Sequence, residues 1–134
     1  MPRGTVYHCV DFEFPDGAET DKYLVLLNEP KEDEPYIFCT TTSRSDNKSL
    51  RPGCDPGLSL FMLQAHHDFF ALDTWLELYR LWPFDAKKYL DYAMRGKMQG
   101  RHRLRTETIG QIANCVKVCE DVSACDRQLV CRKS

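Results

Sequence analysis

The first 85 residues alternate between short apolar runs and segments rich in proline, glycine and charge. The run Y-L-V-L-L at 23–27 is too short for a typical helix, and E-P-K-E-D-E-P closes it. Residues 36–42 are β-branched and aromatic, and a polar S-R-S-D-N-K-S segment follows them. Short runs of this kind between turn signals predict strands, so this part of the chain is predicted to form a sheet.

Five strands are predicted, at residues 7–14, 23–27, 36–42, 58–63 and 74–81. In the first, Cys9 lies opposite in phase to Phe12 and Phe14, which predicts one buried face, and P-D-G at 15–17 provides a turn. The segment R-P-G-C-D-P-G at 51–57 is dense in breakers and predicts a loop. Five short strands with irregular links favour a small β-barrel.

The pattern changes after Asp85. Residues 86–90 are typical of a short helix, and from Thr106, a good N-cap, apolar side chains recur at the three- and four-residue steps of one helix face. The prediction is a mainly β, α+β fold in one domain over 1–134. Residues 1–85 would form the barrel and 86–134 a helical C-terminal part.

Composition limits the classes of protein that this chain can belong to. A length of 134 residues with 43% apolar content suits one compact domain. The sequence has no apolar run long enough to span a membrane, and its M-P-R-G-T start lacks the apolar segment of a signal peptide. We therefore expect a cytoplasmic protein without a membrane partner. A net charge of −2 gives no global attraction to nucleic acid, so any such binding requires local clustering.

Seven cysteines are an odd number, and without an export signal they favour reduced thiols over a disulfide framework. Cys115, Cys119, Cys125 and Cys131 are the one group close enough in sequence to suggest a metal. Their spacing does not match the paired C-x-x-C of a zinc ribbon. Ordinary thiols, with no metal and no cofactor, are therefore the prediction.

A basic run is the clearest partner signal. Between residues 96 and 105, Lys97, Arg101, Arg103 and Arg105 contribute four positive charges and no acidic residue intervenes. Two glycines make the run a plausible mobile connection between helices. It suits contact with RNA phosphates or with an acidic partner segment, and the alternative is a solvated linker.

Several fragments together resemble the MazF/PemK-type toxins, small SH3-like barrels with a C-terminal helix that act as messenger-RNA endoribonucleases. In order, they are V-D-F-E-F-P-D-G, Y-L-V-L-L-N, F-C-T-T-T-S, L-W-P-F-D and R-L-R-T-E-T-I-G-Q-I, and they cover nearly the whole chain. The resemblance implies cleavage of single-stranded RNA without a metal, with the RNA 2′-hydroxyl as nucleophile. It also implies a homodimer and an antitoxin protein as partners.

The resemblance assigns candidate residues on the second and third strands. Where the family has an arginine followed by proline, this chain has Lys22 and Tyr23. Lys22 can offer positive charge to a phosphate, but it lacks the planar fork of arginine. Thr42 and Ser43 fall on the Thr-Ser pair of the family, and the adjacent Arg44 is a candidate RNA contact. The alternative is that threonines simply suit a strand.

A second pair of candidates follows from L-W-P-F-D. Asp85 falls on an aspartate that some relatives use in catalysis, whereas Trp82 stands where they have an arginine. Arg80, two residues earlier on the same strand face, is the nearest substitute. Asp85 could instead cap the following helix. Loss of both family arginines favours the alternative function, a barrel that binds RNA or protein without cleaving.

The histidines leave another chemistry open. His66 and His67 beside Asp68 are a combination found in metal sites and in the acid–base pairs of ribonucleases. Adjacent residues on a strand point to opposite faces, so a surface loop with incidental histidines is favoured. His8 is equally ambiguous.

Large aromatic side chains bear on assembly. Phe61, Trp75 and Trp82 exceed what one small core is expected to bury, and exposed aromatic surface indicates a partner. A homodimer is therefore the prediction.

Overall fold

The computed structural model describes residues 2–13 and 19–132 of the chain. Within these residues seven antiparallel strands form one sheet, accompanied by three helices. In chain order the elements are β1 (Thr5–Glu13), β2 (Glu19–Leu26), β3 (Tyr36–Thr42), β4 (Gly53–Asp55), β5 (Leu60–Leu63), β6 (Thr74–Phe84), α1 (Ala86–Met94), β7 (Met98–Arg103), α2 (Thr106–Val118) and α3 (Ala124–Cys131). The mainly β, α+β fold class predicted from the sequence is confirmed. Phe14 and the predicted turn at 15–17 lie outside the described residues.

The sheet has the strand order β4-β5-β6-β3-β2-β1-β7. No ladder within residues 2–13 and 19–132 joins β4 to β7, so the sheet is not closed by hydrogen bonds. It is nevertheless strongly curled. The rings of Phe12 on β1 and Trp82 on β6 have centroids 5.0 Å apart, although β2 and β3 lie between these strands. The expected barrel therefore takes the form of a curled open sheet.

Both faces of the central strands are buried. On β2, Leu24 and Leu26 pack in a cluster that includes Tyr92 of α1, whereas Val25 packs in a larger cluster that includes Ile112 of α2. We term these the α1 face and the α2–α3 face of the sheet. A strand covered on both sides is apolar at successive positions, which explains the uninterrupted apolar run that follows Tyr23.

A bulge in β1 changes the phase of its side chains. The register of β1 against β2 shifts between Cys9 and Phe12, and Asp11 within this stretch has a φ of 54°. Cys9 and Phe12 consequently pack in the same cluster on the α1 face. The prediction that they lie in opposite phase is wrong, because the additional residue interrupts the alternation.

Two segments predicted to lack strand structure contain strands. The 51–57 segment, expected to be a loop, contains β4, which pairs with β5. The basic run, expected to connect two helices as a mobile segment, forms β7 and pairs with β1. The part predicted as helical over 86–134 therefore includes an edge strand. The N-cap of α2 is Arg105, one residue before the predicted N-cap, and Thr106 is the first residue of the helix.

Gly4 allows α2 to pack directly on the start of β1. Its φ is +86°, and a Cβ at this position would overlap the side chain of Ile109. The Gly4 amide donates to the Leu26 carbonyl over 2.7 Å, and the Gly4 carbonyl accepts from the Leu104 amide over 2.9 Å. A glycine is required here because larger residues rarely adopt this φ and would displace α2.

The large aromatic residues are accommodated within one chain. Phe61 and Trp75 are each only 2% exposed, and Trp82 is half-buried against the α1-face cluster. The argument that these rings exceed one core is therefore wrong. The homodimer itself stays a prediction.

None of the helices in the described part of the chain is long and apolar enough to cross a membrane. The longest of them, α2, has 13 residues, whereas a membrane-spanning helix needs about 20.

Candidate functional site

A cleft of about 620 Å³ lies between the β1–β2 pair, the end of β3 and the loop that joins β5 to β6. We term it the strand cleft. Four residues for which the sequence suggested a shared role line it, namely Lys22, Thr42, Ser43 and Arg44. β2 contributes the lysine, and the end of β3 with its following loop contributes the other three. Pairing of two neighbouring strands therefore brings them together.

Lys22 places its ammonium group beside the end of β3. The side chain is half-buried, and Nζ donates to the Thr41 carbonyl over 3.4 Å. An ammonium group has three hydrogens, so this long bond leaves donor capacity for an anion in the cleft. The cation thus lies in the same cleft as the Thr42 and Ser43 hydroxyls.

A local hydrogen bond shapes the loop after β3. The Thr42 hydroxyl oxygen accepts from the Arg44 amide over 3.2 Å, which is a common way for threonine to hold a turn. As an acceptor in this bond, the hydroxyl retains its hydrogen for donation. Ser43 and Arg44 are exposed at the edge of the cleft.

An aromatic wall forms a further side of the cleft. Tyr23 is 38% exposed, and its ring makes edge contacts with Phe69 and Phe70 at centroid distances of 5.5 and 5.7 Å. The tyrosine comes from β2 and the phenylalanines from the β5–β6 loop. This wall was not predicted, because no sequence pattern links residues so far apart in the chain.

His8 and Asp21 add proton-transfer groups to the cleft lining. His8 is the β1 partner of Tyr23, with ring centroids 5.2 Å apart. The Asp21 carboxylate accepts from the Asp11 amide over 3.2 Å, at the bulge in β1. The β1–β2 register places His8 beside Tyr23, and the sequence does not reveal that register. His8 was therefore not assigned to this site. The cleft therefore holds an imidazole, a carboxylate and an ammonium group.

The other two catalytic candidates are not among the residues that line the strand cleft. Asp85 is the N-cap of α1, where its carboxylate accepts from the Lys88 amide over 2.7 Å. The Arg80 guanidinium lies over the Trp82 ring, 4.3 Å from its centroid. We term this region, which comprises Arg80, Trp82, Asp85 and Lys88, the β6–α1 junction. The structure does not bring Arg80 and Asp85 to the Lys22 side chain.

The basic residues of the 96–105 run are distributed along and beside edge strand β7. Lys97 lies over the Tyr92 ring at 4.6 Å, and the Arg103 Nε donates to the Arg3 carbonyl over 3.2 Å. Arg101 is exposed on β7, and Arg105 lies just after the strand. Lys97 and Arg105 lie outside the strand, and the register of β7 against β1 shifts at Arg101. The charges are therefore held along a paired edge strand and do not form the mobile connection that the sequence suggested.

Asp68 lies at the centre of a polar cluster next to the aromatic wall. Its side chain is 2% exposed, and its carboxylate accepts from the Thr108 hydroxyl over 3.0 Å. His102 Nε2 and Arg105 Nε lie 3.6 and 3.5 Å from its oxygens. Asp68 therefore joins the β5–β6 loop to β7 and α2. Its histidine partner is His102 and not the neighbouring His66 or His67, which are exposed.

The expectation that all cysteines are reduced is wrong for one pair. Cys54 of β4 and Cys115 of α2 form a disulfide, with their Cα atoms 5.4 Å apart. The Sγ atom of Cys119, one helical turn after Cys115, lies 3.7 Å from the Cys115 sulfur. Proximity in sequence grouped Cys115 with cysteines later in the chain and gave no signal for Cys54, which lies 61 residues away.

No family model matches the chain, and no curated protein is similar to it at a significant level. The resemblance to MazF/PemK-type toxins therefore stays a prediction.

Proposed function

We propose that the strand cleft binds single-stranded RNA and cleaves it without a metal ion, with the RNA 2′-hydroxyl as nucleophile. The observation that carries this proposal is the convergence of Lys22, the Thr42 and Ser43 hydroxyls and His8 on one cleft with an aromatic wall. This combination offers groups for each part of an RNA strand: cations for phosphate, rings for bases and a proton acceptor for the ribose hydroxyl.

Binding would use the two sides of the cleft differently. The exposed face of Tyr23 can stack on an unpaired base, a contact worth about 1–3 kcal/mol per base in single-strand binding. Lys22 and Arg44 can bind the phosphates on either side of that base. A stacking wall of this kind requires a base that is free of pairing, which favours single-stranded over duplex RNA.

Cleavage follows from the groups that surround the phosphate. The 2′-oxygen attacks phosphorus while His8 accepts its proton, since imidazole can exchange a proton near neutral pH. The bond to the 5′-oxygen breaks, that oxygen takes a proton from water, and the hydroxide left behind takes the proton from His8. Lys22 and the Thr42 and Ser43 hydroxyls stabilise the additional negative charge on the phosphorane. The products are a 2′,3′-cyclic phosphate and a 5′-hydroxyl.

A second function, RNA binding without cleavage, is favoured by one observation. Arg80 and Asp85, the acid and base candidates of the family resemblance, have local partners at the β6–α1 junction. If His8 does not act as the base and Lys22 does not stabilise the phosphorane, the strand cleft would bind RNA without cleaving it.

End-labelled single-stranded RNA of mixed sequence, incubated with the protein in excess EDTA, tests the proposal. We expect fragments with cyclic-phosphate and 5′-hydroxyl ends from RNA and none from DNA of the same sequence. His8→Gln should abolish cleavage while anisotropy still detects RNA binding. Binding without fragments from the parent protein would support the second function, and the absence of both would contradict the proposal.

The family resemblance also supports a homodimer, an antitoxin partner and a cytoplasmic location, where messenger RNA is available. Light scattering at tens of micromolar tests the dimer, and a strictly monomeric protein would refute it.

A further inference from the structure

Three cysteine sulfurs lie together beneath a second cleft, on the side of the molecule where α2 packs against β4. The Sγ atoms of Cys54, Cys115 and Cys119 are all within 4.8 Å of one another. Cys115 and Cys119 occupy successive turns of α2, and Cys54 is on β4. The disulfide joins Cys54 and Cys115 and leaves the buried Cys119 thiol free beside it.

The spacing of these sulfurs is that of thiolates on one tetrahedral ion. Zinc binds thiolate sulfur at about 2.3 Å, so two sulfurs on the same zinc lie about 3.8 Å apart. The Cys115 and Cys119 sulfurs are already 3.7 Å apart. When the disulfide is reduced, rotation of the exposed Cys54 side chain can bring its sulfur to the same separation from the other two.

We propose that Cys54, Cys115 and Cys119 form a zinc site in the reduced protein, and that the Cys54–Cys115 disulfide and the zinc ion exclude each other. A dithiol reductant supplies two electrons and two protons to the disulfide and is itself oxidised to a disulfide. Binding of Zn²⁺ then releases the three thiol protons as three zinc–sulfur bonds form. Three protein sulfurs leave the fourth position of the ion to water.

The surroundings favour a cation. Asp55 and Asp121 are close enough to act electrostatically on Cys119, and Asp121 is held by the Ser59 hydroxyl, which donates to it over 2.9 Å. The Arg127 guanidinium is also near, but it donates to the Cys119 and Val122 carbonyls over 2.9 and 3.1 Å. The negative charge of two carboxylates and three thiolates therefore exceeds the positive charge of one nearby guanidinium group.

The site can be reached from solvent. The second cleft, of about 560 Å³, is lined by Cys54 and Cys115 together with His67 and polar residues of α2. The Cys54 residue is exposed, whereas Cys119 is buried behind Cys115. A reductant or a zinc ion can thus reach the outer sulfur, that of Cys54, first.

Zinc titration of the full chain in two redox states tests this inference. Protein reduced with a dithiol and freed of it under anaerobic conditions should take up one Zn²⁺ per chain, measured by competition with a chromophoric chelator. The oxidised protein should take up none at this site. Equal zinc binding in both states, or none after reduction, would overturn the proposal.

Variants identify the ligands. Cys119→Ser retains the disulfide pair but removes a ligand, and it should weaken zinc binding by about a hundredfold or more. Cys125→Ser, which changes an exposed cysteine of α3, is the matched control and should bind zinc like the parent. Cobalt provides a second measurement on the unaltered protein, because sulfur-to-cobalt charge-transfer absorption counts the thiolates bound. Three thiolates would support the site, and one or none would refute it.

Discussion

The strand cleft and the β6–α1 junction contain the two halves of the site that the family resemblance implies, and they use their charged groups differently. In the cleft, Lys22 has one long hydrogen bond to a carbonyl, and the hydroxyl of Thr42 keeps its hydrogen. At the junction, Asp85 caps a helix over a short 2.7 Å bond and Arg80 packs on an aromatic ring.

The difference separates groups with capacity for a ligand from groups already committed to local structure. A carboxylate that caps a helix satisfies a backbone donor, and its loss destabilises the helix whether or not a substrate is present. An ammonium group at the mouth of an open cleft has no such structural duty. We therefore expect substitutions in the cleft to affect RNA and substitutions at the junction to affect stability.

After the loss of cleavage expected for His8→Gln, the largest effect is expected for Lys22→Ala. Loss of a charge-assisted contact of about 1.5–3 kcal/mol corresponds to a tenfold to hundredfold decrease in RNA affinity or cleavage rate. The fold should be retained, because the side chain is only half-buried and its hydrogen bond to the Thr41 carbonyl is long. Anisotropy and cleavage rates at one stated salt concentration measure the effect.

Two variants serve as controls for Lys22. Lys22→Arg should preserve or increase activity because it restores a planar fork that binds two phosphate oxygens. Lys87→Ala, an exposed lysine of α1, should behave like the parent. If Lys22→Ala has no effect while Arg103→Ala weakens binding, the RNA contact lies on β7, and Lys22 of the strand cleft does not bind RNA.

A smaller effect is expected for Arg44→Ala, because this residue is exposed on the loop after β3. Each phosphate contact to a single strand contributes about 0.7 to the slope of log affinity against log salt. The variant should therefore bind RNA more weakly at low salt, with a slope reduced by about that amount. Arg101→Ala, on β7, is the matched comparison, and an unchanged slope for Arg44→Ala would remove this residue from the interface.

At the junction, Asp85 provides a substitution that separates capping from catalysis. Asp85→Ala should lower the free energy of unfolding by about 1 kcal/mol, whereas Asp85→Asn should retain it because asparagine is an equally good N-cap. Both should cleave RNA at the parent rate. Urea unfolding and cleavage assays test this, and an Asp85→Asn protein that folds normally but does not cleave would identify Asp85 as the base.

The smallest effect is expected for Arg80→Ala. An exposed cation over an aromatic ring contributes about 0.5–1 kcal/mol, so the free energy of unfolding should fall by no more than this. Arg80→Lys keeps the charge, and its free energy of unfolding in urea should lie between those of the parent and of Arg80→Ala. A cleavage rate reduced tenfold or more in Arg80→Ala would show that the junction takes part in the chemistry.

Much of the local structure could be predicted from residue types alone. The structure contains the strands predicted from the apolar run after Tyr23 and from the β-branched stretch at 36–42. It also contains the helix predicted to follow Asp85. β7 was not predicted, because its residues, Gly100 among them, include none of the β-branched or aromatic types that are enriched in strands. Pairing with β1 supplies its hydrogen bonds, and no feature within the segment itself indicates that partner.

The candidate site was predictable only in part. Lys22, Thr42 and Ser43 were assigned to one site by the family resemblance, and they line one cleft. His8 and the Phe69 ring could not be added, because their positions depend on the β1–β2 register and on the β5–β6 loop. Cys54 likewise joins Cys115 only through the packing of β4 on α2.

By itself, the sequence determined which segments are strands or helices wherever the cause lies within a few residues, as for the Asp85 cap or the apolar run of β2. Only the tertiary structure decided which side chains share a cleft, which cysteines meet and which charges are already paired. The physical reason is that strand register, sheet curl and helix packing depend on contacts between residues distant in the chain, and these contacts minimise exposed apolar surface over the whole domain.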